Sequence, residues 1–468
     1  MKKYLLFVSL LVLSIISKAD IRLPNIINNN MVLQQQSDVK LWGWASPGEK
    51  IYITTSWNQK TDSIITTRDA NWMLKVPTPA AGGPYNITFK GNNKIILDNV
   101  LIGEVWVCSG QSNMEMSFGW GLPDIKAELA SATNDNIRFF TIPKTTSSYP
   151  QDNCGGDWVK CDSTTLKNFS AAGYFFGKKL NNTLHVPVGL ISSNWGGTPA
   201  EVWTPAEVVN NDPELKAAAA KQQPSNGWPY TPGATFNGMI APITNYNIAG
   251  TIWYQGESNT AAPDTYAALF TNLIGSWRKA WNKEFPFYYV QIAPFSYGNQ
   301  FVSAILREQQ TKAMTYPNVG MVVITDLVDD IKNIHPKDKH DVGYRLADWA
   351  LSETYHNGNI AYKNPMFKSM SVDKQKAILT FDNAANGFIT KGKSITDIYI
   401  AGADRIFYPA TAKIKNNTLI VSSKQVAHPA AVRFGFSNTA MPNLFSKEGL
   451  PVNPFRTDDW ELDRREEK

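Results

Sequence analysis

A chain of 468 residues that is 43% hydrophobic and 18% charged holds enough apolar material for two or three packed cores, which excludes a disordered protein. Its formal charge of +5 falls to +2, 42 basic against 40 acidic residues, once Lys2, Lys3 and Lys18 are set aside, so nothing favours nucleic acid as a partner. The three cysteines, Cys108, Cys154 and Cys161, lack the paired short spacing of a zinc cluster, and no metal or cofactor is expected.

Residues 1–19 set Lys2 and Lys3 before an apolar stretch, 4–16, and close on Ser17-Lys18-Ala19, the layout of a cleavable export signal. That stretch is shorter than the roughly 20 residues a membrane-spanning helix needs. The expectation is an exported protein, periplasmic or extracellular, starting at Asp20 and free of the membrane after cleavage. In such a compartment Cys154 and Cys161 can close a small disulfide loop around 155–158; two unpaired buried thiols are equally open.

From 20 to 100 the chain reads as short strands separated by turns, at 39–44, 51–55, 72–76, 85–89 and 95–97, which predicts an N-terminal β-sandwich. Between 101 and 360 apolar strands at 105–108, 188–192, 250–254, 287–292 and 321–324 alternate with helices at 171–180, 265–281, 303–314 and 339–351. That alternation predicts an α/β domain, with helices laid on a mostly parallel sheet and ligands gathering at the strand C-termini. Arg307, on the third of these helices, is expected to make an intrahelical ion pair. Over 361–468 strand-like runs return at 377–381, 397–400 and 418–422, which predicts a further β unit.

Each dense polar cluster of the middle region falls just past one of those strands. After 105–108 comes Gly110-Gln111-Ser112-Asn113, where a glycine permits a sharp turn and a following helix aims backbone N–H groups at charge building beside the hydroxyl. Ser112 is therefore the candidate nucleophile; an N-capping serine is the structural alternative. Met114 stands where a Gly-x-Ser-x-Gly elbow needs its second glycine, which argues against the common α/β-hydrolase pattern. After 188–192 the pair Gly196-Gly197 lets a backbone N–H approach a reacting oxygen, and after 250–254 comes Gln255-Gly256-Glu257-Ser258-Asn259. After 321–324, His335 is the candidate general base, because its imidazole can take a serine proton near neutral pH. The other histidines, His185, His340, His356 and His428, lack a polar loop at a strand end.

Together these loops resemble the SGNH hydrolases, and within them the sialate O-acetylesterase-like carbohydrate esterases. The likeness is carried by Met31-Val32-Leu33-Gln34-Gln35, by Gly103-Glu104-Val105-Trp106 through Glu115, by Asn194-Trp195-Gly196-Gly197-Thr198, by Trp253 through Asn259, by Ile334-His335-Pro336 and by Arg433-Phe434-Gly435-Phe436. The resemblance implies a flavodoxin-like three-layer hydrolase domain and removal of acetyl groups from an acetylated sugar or glycan. It also implies Ser112 as nucleophile and His335 as base, an oxyanion hole from the Ser112 N–H, Gly196 or Gly197 and the Gln255 side chain, and Asn113 and Glu257 in support. Members of the family commonly place an aspartate two residues before the histidine, where this chain has Asn333. The acid is thus open between Asp326, Asp329, Asp330, Asn333 or a backbone carbonyl, and a Ser-His dyad. For substrate, an O-acetylated sialic acid and acetylated xylan both remain in view, with rings such as Trp120, Trp195 or Trp203 available to stack on sugars. A glycan-binding protein without activity, or a lipase, would be separated by acetate release and by acyl-length preference.

Overall fold

The computed structural model describes residues 20–463, so the expected export signal at 1–19 lies outside the described residues. The organising element is a strand of 17 residues, Lys94–Gly110 (β1), whose last eleven residues are buried. A run buried on both faces suits the centre of a parallel sheet. The first part of β1 pairs antiparallel with Gly82–Lys90 and parallel with Val32–Gln34; the last part lies between two parallel neighbours of the central sheet. One strand therefore runs through residue 100 and serves both the N-terminal strands and the site-bearing sheet.

That sheet adds β2 (Asn134–Thr141), β3 (Trp158–Cys161), β4 (Val188–Asn194), β5 (Gly250–Tyr254), β6 (Phe287–Val290) and β7 (Val319–Val322), in the order β7-β6-β5-β1-β4-β2-β3. All neighbours are parallel except β3, which runs antiparallel on the edge beside β2. The helices that cover it are α2 (Ala171–Leu184), α3 (Tyr266–Trp281), α4 (Val302–Ala313) and α5 (Lys339–Trp349), with α1 (Ser112–Glu115) a single turn after β1. Side chains alternate along β1 with the period of a strand: Val105 and Val107 share a core with Phe270, Ile274 and Leu306 of α3 and α4, whereas Trp106 and Cys108 share one with Phe175, Phe176 and Leu346 of α2 and α5. Helices thus lie on both faces, which makes the unit α/β as its alternating pattern predicts. No helix among the described residues is long and apolar enough to cross a membrane.

Ahead of β1, Asp38–Trp44 pairs with Asn71–Pro77, while Thr61–Ile65, Lys50–Thr55 and Gly82–Lys90 form a second antiparallel set. Past α5, Met366–Asp373, Lys376–Asp382, Thr418–Ser422 and Thr411–Lys415 form one antiparallel sheet and Phe407–Pro409, Ile398–Ala401, Ala431–Phe434 and Phe455–Arg456 another, around a separate core that includes Leu379, Ile400 and Phe434. Cys154 and Cys161 are both free thiols, and the Cys161 thiol donates to Ala132 O at 3.0 Å. Arg307 makes no intrahelical ion pair: its Nη1 donates to Ser303 Oγ of the same helix at 3.3 Å and its Nη2 to Ser437 O, while the adjacent Glu308, which points elsewhere on the helix, pairs with Arg456 at 3.0 Å.

Candidate active site

Strand β1 ends on Gly110, whose φ of +136° is a glycine conformation, and a Cβ there would lie 2.2 Å from Tyr254 O. The chain then turns, with Gln111 N–H donating to Tyr254 O at 3.0 Å, and α1 begins. Gln111 occupies the N-cap position and makes no side-chain capping bond. Ser112 is the first helical residue, so its hydroxyl is not a cap. Instead its Oγ lies 2.9 Å from His335 Nε2.

His335 arrives from one edge of the sheet, on the loop between β7 and α5. Arg345 of α5 anchors the start of that loop through Val323 O at 2.7 Å and a two-pronged pair with Asp326 at 2.8 and 2.7 Å. Asn333 Oδ1 accepts the backbone N–H of His335 at 3.0 Å, and Asp338 caps α5 by accepting from Asp341 N–H. Burial, and secondarily the ammonium of Lys339, hold the imidazole below its ordinary value of 6.5, so it is neutral and able to accept a proton near neutral pH.

The three aspartates considered for the imidazole have other partners. Asp326 is paired with Arg345, Asp329 lies 3.6 Å from Lys337, and Asp330 accepts from Lys332 N–H at 2.8 Å. Asn333 uses its side-chain oxygen on the backbone, not the ring. Among the described residues the ring makes one hydrogen bond, to Ser112.

The other expected groups are gathered close by, with particular partners. Gly196 approaches Ser112 so nearly that a Cβ would sit 3.3 Å from the serine Cβ, and its N–H donates to Glu115 Oε2 at 2.6 Å. Glu115 Oε1 in turn meets Lys144 at 2.7 Å. Gly197 has a φ of +80°, and a Cβ there would strike the Trp228 ring. Gln255 is fully buried; its Nε2 donates to Asn259 Oδ1 at 2.7 Å and to Thr198 O at 3.2 Å, and its Oε1 accepts from Tyr266 at 2.9 Å. Its amide thus ties the β4 and β5 loops together, with Nε2 and Oε1 both engaged by these partners. Asn113 donates from Nδ2 to Glu257 Oε1 at 2.6 Å and to Ile334 O at 3.1 Å. Burial raises the Glu257 carboxyl above its ordinary value, against the hydrogen bond from Asn113 and the nearby Lys339.

Of the three rings named from the sequence, Trp203 is fully buried in the core, Trp195 is half-buried with its Nε1 on Gly227 O, and Trp120 is 45% exposed with its ring 5.2 Å from that of His335. Sequence reasoning missed Lys339 and left Glu115 without a task. A lysine opening a helix, where the macrodipole disfavours a cation, was the available signal for the first. No group of three or more His, Cys, Asp or Glu among the described residues is placed to hold a metal.

Residues 102–352 match the family described as carbohydrate esterase, sialic acid-specific acetylesterase. The sialate O-acetylesterase of Homo sapiens is 31% identical over 403 residues, covering 76% of this chain and 76% of the relative. That of Rattus norvegicus is 29% identical over 428 residues, covering 77% and 79%. Among solved structures, a carbohydrate acetylesterase from Xanthomonas citri is similar with a TM-score of 0.86 at 35% identity, over 94% of this chain and 100% of that one.

Proposed function

Because the chain belongs to the sialic acid-specific acetylesterase family of carbohydrate esterases and is a carboxylic ester hydrolase acting on O-acetylated sugars, we propose that it works by acyl transfer through Ser112 and His335, with an O-acetylated sialic acid as substrate. The observation that carries the mechanism is the 2.9 Å approach of Ser112 Oγ to His335 Nε2 at the C-terminal end of the central strand. The imidazole takes the serine proton as Oγ attacks the acetyl carbonyl, then returns it to the departing sugar oxygen. Water, deprotonated by the same ring, releases acetate from the acetyl-serine. The Ser112 N–H faces the developing oxyanion at the start of α1. With the Gly196 N–H held by Glu115, the Gly197 N–H is the second donor, and Gln255 is the post beneath that loop.

The sialate reading is supported by the names of the curated relatives and by Lys144, a half-exposed cation tied to Gly196 through Glu115 and suited to a sugar carboxylate. Acetylated xylan is the second reading, favoured by the exposed ring of Trp120 beside His335. The strand order β4-β1-β5-β6-β7, that of flavodoxin-type sheets, supports the three-layer SGNH fold, and the paired sets ahead of β1 support the N-terminal sandwich. Within this proposal the units are 20–100, 101–360 and 361–468, and export is directed by 1–19.

The test is acetate release from O-acetylated sialoglycoprotein against acetylated xylan, with Ser112→Ala as control. Release that favours the sialylated substrate and vanishes in Ser112→Ala, at an unshifted melting temperature, is the expected result. Undiminished release by Ser112→Ala removes the serine mechanism; equal or greater release from xylan removes the sialate assignment.

A further inference from the structure

Behind the serine and the imidazole lies a polar constellation that the acyl-transfer steps leave unused. Lys339, the first residue of α5, is fully buried, and its Nζ donates to Asn113 Oδ1 at 2.7 Å. The same ammonium lies 5.0 Å from the centre of the Tyr254 ring. At its other end the Asn113 amide donates to Glu257 Oε1 and to Ile334 O. Asn113 follows Ser112 directly and Ile334 precedes His335 directly, so a single amide joins the two reacting turns. A buried ammonium is costly, and the first turn of a helix is the wrong end of the macrodipole for it.

We propose that Lys339 is a positioning residue for the esterase reaction: by fixing Asn113 it locks the turn of Ser112 to the turn of His335, the orienting task that an acid on the far imidazole nitrogen would otherwise perform. An amide can present either end to a neighbour, but an ammonium only donates. With Lys339 on Oδ1, the Nδ2 group must face the acceptors, Glu257 and Ile334 O. Replace the lysine by an apolar residue and Asn113 Oδ1 loses its donor, so the amide is held at its Nδ2 end alone and the His335 loop is freed to drift.

The lysine also acts through its charge. Of the charged groups among the described residues, Lys339 is the one that acts on the imidazole, while Glu257, Asp338, Asp124 and Asp329 face the ammonium in turn. Burial pushes Lys339 down to about 7, so it is cationic across the acid range in which His335 titrates. Removing it must raise the imidazole and move the acid limb of kcat/KM to higher pH.

The inference rests on Ser112 and His335 being the reacting pair. The experiment is the pH profile of Lys339→Met and Lys339→Gln on an acetyl ester, with Ser112→Ala alongside. Expected are a kcat lower by about a hundredfold, the loss typical of reacting groups misplaced by an ångström, KM within about twofold, and an acid limb displaced upward. A kcat within about threefold of the parent overturns the proposal, given that single misplacements cost far more. A loss of kcat with the acid limb in place marks a merely structural lysine and overturns it too. Should neither variant fold, Asn113→Leu breaks the same bridge at its other end: a comparable fall in kcat supports the proposal and a kcat within about threefold of the parent overturns it. Residual acetate release by Ser112→Ala would instead remove the reading underneath, which keeps the two failures distinct.

Discussion

Replacing Gln255 by Met separates a residue that braces the site from one that touches the oxyanion. Methionine keeps the volume, so little packing is lost. Three hydrogen bonds disappear: to Asn259 Oδ1 at 2.7 Å, to Thr198 O at 3.2 Å and from Tyr266 at 2.9 Å. Two of the abandoned partners keep a second bond, Asn259 Oδ1 from Ala200 N–H and Tyr266 to the Gln255 carbonyl. The loss is therefore near the ordinary net value of about 1 kcal/mol per bond, or about 3 kcal/mol together, a large share of the roughly 5–15 kcal/mol that holds a domain folded. Urea unfolding followed by tryptophan fluorescence measures it, and kcat is read at a temperature where the variant is folded. A brace gives a lower midpoint with kcat reduced less than about tenfold, whereas loss of an oxyanion donor costs about a hundredfold to a thousandfold. An unchanged midpoint with a hundredfold loss of kcat would refute the argument from the resting hydrogen bonds.

Three other perturbations follow from the same geometry. Asp326→Asn weakens the partly buried pair with Arg345 and is expected to lower unfolding stability by about 2 kcal/mol while leaving the acid limb of kcat/KM in place; a displaced limb would restore Asp326 as the acid. Glu104 is buried and accepts from Gln34, Gln35 and Tyr355 at 2.9, 2.6 and 2.7 Å, so Glu104→Ala strands three donors and should cost about 3–5 kcal/mol in urea unfolding; a loss below about 1 kcal/mol would sink this. Trp120→Ala removes an exposed ring beside His335 and should raise KM for sugar acetates by about tenfold, the worth of one aromatic contact, with a small chromogenic acetate nearly unaffected. Equal effects on both esters would mean that the ring serves the imidazole and not the sugar.

The strands and helices that bear the site were legible because their periodicity is strong: β5 at Gly250–Tyr254 and α3 at Tyr266–Trp281 lie where the apolar pattern puts them, within a residue. Strand β2 was not, because Asn134-Asp135-Asn136 opens it with turn-forming residues and only the later part is buried. The continuity of β1 was also hidden. Asp98 and Asn99 look like a turn, yet both lie inside the strand, Asn99 with a φ of +57°. Polar residues past strand ends singled out Ser112 and His335, whose side chains the fold brings within 2.9 Å of each other. What each amide does was beyond that kind of reading, since Gln255, Asn113 and Asn259 have the same chemistry and differ only in which atoms surround them.

Asn333 shows how far that limit reaches. In the sequence it is simply the wrong residue where an acid is customary, and it invites a search for some other carboxylate. The fold answers differently, because Asn333 holds the backbone N–H of His335, Asn113 holds the preceding carbonyl, and the Ser112 hydroxyl meets the ring itself. Two side-chain amides therefore restrain the segment that carries the imidazole, through its main chain. A carboxylate on the far nitrogen would favour the imidazolium and raise the pKa. Orientation through the backbone leaves the ring's basicity to burial and to Lys339, both of which lower it. Within the proposed mechanism, an esterase built this way keeps its base deprotonated into mildly acidic conditions, at the cost of a weaker drive to take the serine proton.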